Sequence, residues 1–513
     1  MLDITLFRPY KGGDPEVVRE SQRRRYSDVG LVDKVLALDE QWREARAKLD
    51  TLNMEFNKLN NQIKELRKAK QDASSLQEQS KAMKAGIKEA EEREKALAEA
   101  LEASVQPIGN LVHDSVPVSD DEVQLGSQGV PRGWVAVASP EEQSYGCHRR
   151  ERELANNAVV KTFGEPRQEE KLFNHVDLVQ LLDFVDLEKG TDTAGSRGYY
   201  LKNEGVLLNQ ALINAALQFG WARGYKPVHT PFFMQKGVMA ECAQLSQFDE
   251  ELYKVTGEGE EKYLIATSEQ TLCALHRKDW LEKQQLPIKY VGYSTCFRKE
   301  AGSHGRDTLG IFRVHQFEKV EQFVITSPHD DESWKALDEM LANAEGFYQA
   351  LNLPYRVVNI VSGELNNAAA KKYDLEAWFP ASKTYRELVS CSNCTDYQAR
   401  RLDIRLRTMK GPGGEGKKEY VHMLNGTLTA TERTLCCVLE NWQTPEGLRI
   451  PEALRPFMMG IDFVPFRRQF DAKGKLVDRP PPAAGAAGTA AAGTAAAPEN
   501  GSAASPAASM STS

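Results

Sequence analysis

The sequence is poor in features that would place it in several large classes of protein. Its 513 residues include eight cysteines, too few and too scattered for a disulfide-stapled secreted domain, so we expect reduced thiols and a cytoplasmic location. No apolar run approaches the roughly 20 residues of a membrane span, and acidic residues near the N-terminus oppose an import signal. The net charge is −8, which argues against indiscriminate nucleic-acid binding but not against a local basic surface.

The most informative stretch covers residues 293–323, where two segments rich in β-branched and aromatic residues flank a long glycine-containing loop. Polarity alternates with period two, which predicts an antiparallel pair of strands. A phenylalanine ring among cations suits a nucleotide, because guanidinium groups bind phosphate oxygens and the ring can stack on a base. On these residues alone, a solvated sheet face with ordinary ion pairs is the alternative. The charged faces predicted by the alternation carry Arg298, Glu300, Arg313, Phe317 and Glu321.

A different pattern near the N-terminus predicts a coiled coil. Apolar residues in the segment 31–66 recur at alternating steps of four and three, which is the seam of a coiled coil. A polar break at residues 72–75 precedes a second seam at 76–101, interrupted by Ser80 and Glu94. Two such segments in one chain predict an antiparallel hairpin long enough to project as an arm. A dimerisation coiled coil is the alternative.

The central stretch resembles the second of the three motifs of class II aminoacyl-tRNA synthetases. That motif reads Phe-Arg-x-Glu, a loop, then Arg-x-x-x-Phe, and here Phe297 to Glu300 is followed by Arg313 to Phe317. Residues 224–231 resemble the first motif. Within the class, the amino-acid sequence around the second motif, together with the arm, resembles that of the cytosolic, eukaryotic-type seryl-tRNA synthetase family.

The resemblance implies an α+β fold. An antiparallel sheet flanked by helices, the class II synthetase fold, would carry an N-terminal antiparallel α-helical coiled-coil arm. The implied domains are a tRNA-binding domain at 1–110 and a catalytic domain at 111–465. The composition of the C-terminal segment, rich in proline, alanine, glycine, serine and threonine, predicts a disordered, low-complexity tail at 466–513.

The resemblance also implies the reaction. Serine and ATP would give seryl-adenylate and pyrophosphate, and the seryl group would then pass to the 3′ end of serine tRNA. ATP and Mg²⁺ are the expected cofactors, and a homodimer without membrane contact is the expected assembly. The sequence leaves open whether selenocysteine tRNA is also a substrate, and what the acidic insertion at 248–261 does.

Residue roles are carried over from the matching motif positions. Arg298 would bridge the α-phosphate and the serine carboxylate, Phe317 would stack on adenine, and Glu300 would accept from the adenine amine. Arg313 and Arg433 would hold the triphosphate. The expected catalytic residues are Arg298, Glu300 and Arg433. The expected ATP-binding residues are Arg298, Lys299, Glu300, Arg313, Val314, His315, Gln316, Phe317, Glu387, Leu388, Val389, Ser390 and Arg433.

Four further assignments follow; the Gly426 turn is inferred from the residues themselves, and the other three rest on the same resemblance. Glu387 and Ser390 would hold magnesium, but on a regular strand they would face opposite sides, so a local irregularity is required. Gly426 would form a tight turn into the helix that carries Arg433. The expected serine-binding residues are Thr267, Glu269, Arg298, Glu321, Asn425 and Thr427. The residues expected to contact tRNA at the arm tip, by shape and phosphates, are Lys64, Arg67 and Lys68.

Two other functions fit part of this pattern. One is a class II enzyme that charges another amino acid, and the other is a catalytically silent synthetase-like protein that only binds RNA. A decayed copy would have lost some motif residues, yet Arg298, Glu300, Phe317, Glu387 and Arg433 are all present. Serine-dependent exchange of pyrophosphate into ATP would separate the three functions.

Overall fold

A computed structural model describes residues 1–120, 157–242, 251–257, 259–300, 309–407 and 418–479. None of the helices in these ranges combines the length and apolar character that crossing a membrane requires. The helices are α1 Pro15–Arg24, α2 Gly30–Lys68, α3 Ser74–Val105, α4 His175–Leu181, α5 Leu187–Ala194, α6 Glu204–Ala222, α7 Lys236–Cys242, α8 Ser268–Ala274, α9 Glu332–Ala350, α10 Tyr397–Leu402 and α11 Thr431–Trp442. Short 3₁₀ helices span Ile4–Phe7, Pro9–Lys11, Lys283–Gln285, Ser362–Glu364 and Glu452–Phe457.

The predicted arm is the hairpin of α2 and α3. At a rise of about 1.5 Å per residue, the 39 residues of α2 make a rod far longer than an ordinary globular helix. Ser80 and Glu94, which interrupt the predicted seam, make contacts across the hairpin. Ser80 Oγ donates to Asn60 Oδ1 at 3.0 Å, and Trp42 Nε1 donates to Glu94 Oε1 at 3.1 Å. The pairing order confirms that the helices run antiparallel.

An eight-stranded sheet forms the body of the molecule, in the order β1-β11-β12-β13-β16-β10-β9-β4. Its neighbouring strands are antiparallel except β4 and β9, which are parallel. The predicted antiparallel sheet is therefore confirmed, with one parallel pair at its edge. The strands are β1 Ala158–Phe163, β2 Val185–Asp186, β3 Tyr200–Leu201, β4 Lys226–His229, β5 Phe233–Gln235, β6 Lys254–Val255, β7 Lys262–Leu264, β8 Trp280–Glu282, β9 Ile288–Phe297, β10 Gln316–Thr326, β11 Tyr355–Asn359, β12 Lys371–Phe379, β13 Thr384–Asn393, β14 Arg405–Arg407, β15 Glu419–Tyr420, β16 His422–Ala430, β17 Gln443–Thr444, β18 Gly447–Arg449, β19 Phe463–Pro465, β20 Arg468–Phe470 and β21 Leu476–Asp478.

Helices α6, α9 and α11 share one apolar core with this sheet. Leu208, Tyr348 and Val438 from the helices are fully buried with Val324 and Leu424 from the strands. This packing fixes the strands that carry the motif residues, because a close-packed interior resists displacement of any one element.

Gly426 does not form the predicted turn, and that prediction was wrong. The residue lies inside β16, and the helix that carries Arg433 begins at Thr431. A Cβ at position 426 would lie 2.8 Å from Cys391 Sγ and 2.9 Å from Met340 Cε. The glycine therefore allows close packing within a strand. In a sequence, a glycine required for packing cannot be distinguished from a glycine required for a turn.

The ordered body extends beyond the boundary predicted at residue 465. Strands β20 and β21 pair antiparallel within the region expected to be a disordered tail. Ion pairs help to hold this hairpin, including Arg479 Nη2 to Glu446 Oε2 at 2.9 Å and Arg468 Nη2 to Asp183 Oδ1 at 3.1 Å. Ion pairs of this kind between distant segments leave no apolar signal in a sequence. The remainder of the expected tail, residues 480–513, lies outside the described residues.

Candidate functional site

A cavity of about 230 Å³ opens beside β9, β10, β13 and β16, and we call it the main cavity. Fourteen of the predicted site residues line it, drawn from segments far apart in the sequence. They are Thr267, Glu269, Arg298, Glu300, Arg313, Val314, Phe317, Glu321, Glu387, Leu388, Ser390, Asn425, Thr427 and Arg433.

The alternation predicted along the second motif accounts for much of this arrangement. Phe317 and Glu321 on β10 line the main cavity, while Val320 and Val324 are fully buried in the core. The strand itself begins at Gln316, later than the predicted segment. Arg313 reaches the cavity from the irregular residues just before the strand.

Four of the residues predicted to bind ATP lie outside the main cavity. Val389 is fully buried in the core, and His315 and Gln316 line a separate cavity. Lys299 uses its backbone nitrogen to donate to the carbonyl of Glu251 at 3.0 Å. Each of these four residues is adjacent in sequence to a residue that lines the main cavity. Alternate side chains of an extended chain face opposite ways, which accounts for the difference.

The irregularity required for Glu387 and Ser390 is present in β13. Opposite β12, Glu376 pairs with Glu387 and Leu375 pairs with Val389, so Leu388 is an extra residue in the ladder. Such a bulge changes the direction of the side chains that follow it. Both the Glu387 carboxylate and the Ser390 hydroxyl consequently line the main cavity.

Arginines and carboxylates are paired at one end of the main cavity. Arg433 Nη1 lies 3.4 Å from Glu387 Oε2, and Arg313 Nη1 lies 2.9 Å from Glu300 Oε2. Desolvation at Glu387 opposes its ionisation, but Arg433 and the other cations outweigh it and lower the pKa of that carboxyl. This end therefore offers guanidinium groups that an anionic ligand can recruit.

An aromatic surface lies beside these charges. The Arg298 guanidinium is 5.2 Å from the centre of the Phe317 ring, a cation–π contact. Arg298 Nε also donates to the carbonyl of Ala266 at 3.2 Å, which orients the guanidinium within the cavity.

A hydrogen-bonded network forms the other end. Glu269 Oε1 accepts from Asn425 Nδ2 at 3.0 Å and from Gln398 Nε2 at 2.9 Å. Glu321 is only 1% exposed, and its carboxylate forms an ion pair with Lys319. Burial raises the pKa of Glu321, and Lys319 opposes that rise. The network holds polar groups in fixed directions around a small space.

Sequence reasoning missed Lys319 and Glu432, both of which line the main cavity. Lys319 shares the alternation of its neighbours Phe317 and Glu321, so the pattern could have revealed it. Glu432 precedes Arg433 and is 4% exposed. Nothing local in the sequence marks its role, which depends on contacts between distant segments.

Glu432 joins three segments of the site. Its carboxyl accepts from the Glu318 backbone nitrogen at 3.2 Å and from the Tyr199 hydroxyl at 3.1 Å. Thr431 Oγ1 donates to it at 3.0 Å. Burial, together with the nearby Glu318 carboxylate, raises the pKa of Glu432 well above its ordinary range. The Glu432 carboxyl thus fixes the backbone next to Phe317.

The three predicted tRNA contacts lie away from the cavity, at the far end of α2. Lys64, Arg67 and Lys68 are exposed, and Lys68 Nζ pairs with Glu65 Oε1 at 2.8 Å on the same helix. The structure therefore separates a charged tip from the cavity by the length of the arm.

Comparison with known proteins gives consistent matches over most of the chain. Residues 253–442 match the family described as tRNA synthetase class II core domain (G, H, P, S and T), and residues 1–112 match the Seryl-tRNA synthetase N-terminal domain. A cytoplasmic serine–tRNA ligase of Arabidopsis thaliana is 56% identical over 93% of this chain and 99% of its own. That of Bos taurus is 50% identical over 89% of each.

Two solved structures are also similar. The cytoplasmic serine–tRNA ligase of Naegleria fowleri in complex with AMP has a TM-score of 0.77 at 50% identity, covering 91% of this chain and 99% of that one. The seryl-tRNA synthetase of Pyrococcus horikoshii complexed with ATP has a TM-score of 0.78 at 36% identity, covering 91% and 100%.

Proposed function

The chain belongs to the seryl-tRNA synthetase family, and on this premise we propose that it is a serine–tRNA ligase that activates L-serine with ATP and transfers it to serine tRNA. The observation that carries the proposal is the convergence of Arg298, Phe317, Glu387 and Arg433 on one cavity. A catalytically silent RNA-binding protein would have no need to keep these groups together. The relatives from Arabidopsis thaliana and Bos taurus are named cytoplasmic, which assigns the same location to this chain.

The first step is displacement at the α-phosphorus of ATP. A serine carboxylate oxygen attacks, the bond to pyrophosphate breaks, and seryl-adenylate forms. Catalysis of such a step consists of positioning and charge stabilisation. Arg298 lies between the aromatic surface and the hydrogen-bonded end, where it can bridge the α-phosphate and the serine carboxylate. Phe317 stacks on adenine, and Arg313 and Arg433 hold the outer phosphates.

Glu387 and Ser390 would hold magnesium. The bulge at Leu388 brings a carboxylate and a hydroxyl to the same cavity. Oxygen donors in small number suit magnesium, which keeps its other positions for phosphate oxygens and water. Bound there with ATP, the ion supplies charge neutralisation at the triphosphate.

The hydrogen-bonded end of the main cavity binds serine. Glu269 faces the ammonium group, and Glu321, Asn425 and Thr427 surround the hydroxyl. A site built around a hydroxyl rejects alanine because its polar groups would be left without partners, and a small site excludes the extra methyl of threonine. The specificity for serine thus follows from buried polar groups rather than from the area of contact with the substrate.

Pyrophosphate exchange into ATP tests the proposal. We expect exchange with serine and little with alanine or threonine. Exchange supported by another amino acid would assign a different class II specificity, and absence of exchange with every amino acid would support the silent RNA-binding function.

A pair of variants tests which end of the main cavity binds serine and which end binds ATP. Glu321→Ala should raise the KM for serine far more than the KM for ATP, because it removes a partner of the serine hydroxyl. Glu300→Ala, the matched change at the nucleotide end, should do the opposite. Steady-state exchange kinetics measure both constants, and the reverse pattern would remove Glu321 from the serine site.

The arm and the body have separate roles in tRNA binding and assembly. We propose that the arm holds the long variable arm of tRNA through its tip residues.

The exposed apolar residues Val206 and Trp221 on α6, 46% and 65% exposed, support a homodimer with an isologous interface. Sedimentation of the purified chain measures the assembly, and a monomer at micromolar concentration would contradict it.

A further inference from the structure

The separate cavity that His315 and Gln316 line lies behind the second motif, and we call it the back cavity. Its volume is about 540 Å³. Along β10, Gln316 and Glu318 line the back cavity, whereas Phe317 and Lys319 line the main cavity, as alternation along one strand requires. None of the described residues lines both spaces. A molecule in the back cavity is therefore separated from ATP by the strand.

Aromatic side chains form much of the wall of the back cavity. Tyr253 and His315 lie edge to face, with their ring centres 6.1 Å apart. Tyr199 and Phe297 line the same space. The faces of tyrosine and phenylalanine rings are partly negative, so they attract cations as well as apolar groups. Such a wall favours a flat apolar molecule that carries a positive charge.

A carboxylate without a cationic partner lies in the same wall. Glu318 is only partly exposed, and its Oε2 accepts from Asn209 Nδ2 at 3.1 Å. No lysine, arginine or histidine of the described residues forms an ion pair with it. Its charged neighbour is instead a second acid, Glu432. Leaving a partly buried carboxylate in this position is costly unless a ligand supplies the opposite charge.

The other polar groups of the back cavity are mainly acceptors. The Asn209 amide nitrogen faces Glu318, and its Oδ1 has no donor within the described ranges. His315 Nδ1 donates to a backbone carbonyl at 2.9 Å, so Nε2 of the neutral ring is an acceptor. Arg197 also lines the cavity, but its Nη1 donates to the carbonyl of Glu300 at 3.2 Å. The space therefore suits a ligand that donates hydrogen bonds.

We propose that the back cavity binds a small organic cation, an amine or amidine on a flat apolar body. The positive group pairs with the Glu318 carboxylate, and the flat body lies against the aromatic wall beside Tyr253. A metal ion fits this space less well, because no group of three metal-ligating side chains occurs in the part of the chain that the structure describes. The site goes beyond the proposed function, since serine, ATP and tRNA are not small flat cations.

Calorimetric titration of the full chain with benzamidine, a flat amidine cation, tests the proposal. Benzamide, a neutral molecule of nearly the same shape, is the matched control ligand. We expect one benzamidine to bind per chain, and benzamide to bind about tenfold more weakly, the effect of losing one charge-assisted hydrogen bond. Saturating ATP, added without serine, should leave benzamidine binding unchanged. Absence of benzamidine binding at millimolar concentration, as expected if a partner subunit fills the cavity, would overturn the proposal.

Three variants locate the bound cation. Glu318→Gln should weaken benzamidine binding about tenfold, because it removes the paired charge. Tyr253→Leu, which keeps an apolar side chain but removes the ring face, should weaken it several-fold. Glu188→Gln is the matched control, because Glu188 is an exposed carboxylate on α5 and lines neither cavity. Circular dichroism checks that each variant is folded, and Tyr253→Leu serves alone if Glu318→Gln does not fold.

The remaining outcomes are distinct. Loss of benzamidine binding on addition of ATP would place the molecule on Phe317 in the main cavity, and equal binding of benzamide would exclude a role for the Glu318 charge. Equal weakening in Glu318→Gln and Glu188→Gln would assign the effect to net charge. Each of these results would overturn the proposal. None of the titrations requires catalysis, so absence of pyrophosphate exchange would refute the proposed function and not this site.

Discussion

The arm and the main cavity both carry many charges, but they use them in different ways. On the arm, Lys88 and Glu92 are 78% and 71% exposed and lie 3.9 Å apart, one turn along the same helix. In the cavity, the partners Lys319 and Glu321 are 10% and 2% exposed. The arm pair is surrounded by water and salt, whereas the side chains of the cavity pair are almost entirely enclosed by protein.

This difference in exposure determines which charged side chains can leave their ion-pair partners for another ligand. Exposed pairs contribute about 0–1 kcal/mol each and are screened by salt. Arm cations can therefore leave their carboxylates for RNA phosphates at little cost. Removing one member of a buried pair leaves the other charge without compensation, which costs several times more. The comparison predicts that the effect of a substitution follows burial and partners, not the number of charges removed.

The largest effect is expected at Arg298. Replacement by alanine removes the guanidinium proposed to stabilise charge in adenylate formation, so kcat for pyrophosphate exchange should fall by about 10³. Arg298→Lys keeps the charge but loses the planar fork and should recover only a small part of the rate. Steady-state exchange measures both variants. Full activity in Arg298→Lys would indicate that net charge suffices, and the contrast with the arm would then fail.

A second prediction compares two arginines near the arm root. Arg25 is buried and supplies hydrogen bonds to four carbonyls, whereas Arg23 is 48% exposed and pairs with Glu16 and Glu20. Arg25→Met should lower the free energy of unfolding by about 3 kcal/mol, because buried carbonyls lose their donors. Arg23→Met should leave it nearly unchanged, because exposed ion pairs are screened by solvent.

Urea denaturation followed by circular dichroism measures both variants. The midpoint should shift clearly for Arg25→Met and hardly for Arg23→Met. Equal shifts would mean that the buried guanidinium does not lock the arm to the body.

A third prediction concerns the arm tip. Changing Lys64, Arg67 and Lys68 together to glutamate should raise the KM for tRNA by about tenfold or more and reduce the salt dependence of tRNA binding. The same charge change at Lys81, Lys84 and Lys88 on α3 is the matched control. Aminoacylation and pyrophosphate exchange are measured in parallel. Equal losses of both activities, or equal effects of both triple variants, would contradict a role of the tip in binding tRNA.

The sequence predicted those features whose signal is local. The arm follows from a seam within each helix, and the cavity face of β10 follows from its alternation. The need for an irregularity near Glu387 also followed from strand geometry, and the bulge at Leu388 meets it.

Features that depend on distant contacts were not predictable. A side chain at position 426 would clash with Cys391 and Met340. Both residues lie on other elements, so the role of Gly426 was misread as a turn. Glu432 faces Tyr199 and Glu318, and their proximity exists only after α11 packs against β10. A periodic pattern contains no information about such encounters, because it describes one element at a time.

The smallest effect expected is a pH dependence at Glu432, where the cavity keeps a buried acid protonated. The folded-state pKa lies above its ordinary value of 4.5, so the folded chain keeps a proton that the unfolded chain loses. The contribution of this group to stability is therefore complete below about pH 4.5 and declines as the pH rises towards the folded-state pKa. Glu432→Gln is always neutral, and its amide oxygen can still accept from the Glu318 backbone nitrogen and from the Tyr199 hydroxyl.

The unfolding free energy of the unaltered chain should thus fall relative to that of Glu432→Gln by about 1 kcal/mol per pH unit within this window. Urea titrations at several pH values from 4.5 upward measure the difference. Glu318→Gln should weaken the same trend, because the neighbouring carboxylate helps to raise the pKa of Glu432. Parallel profiles for the unaltered chain and Glu432→Gln would mean that burial does not hold this proton in the cavity.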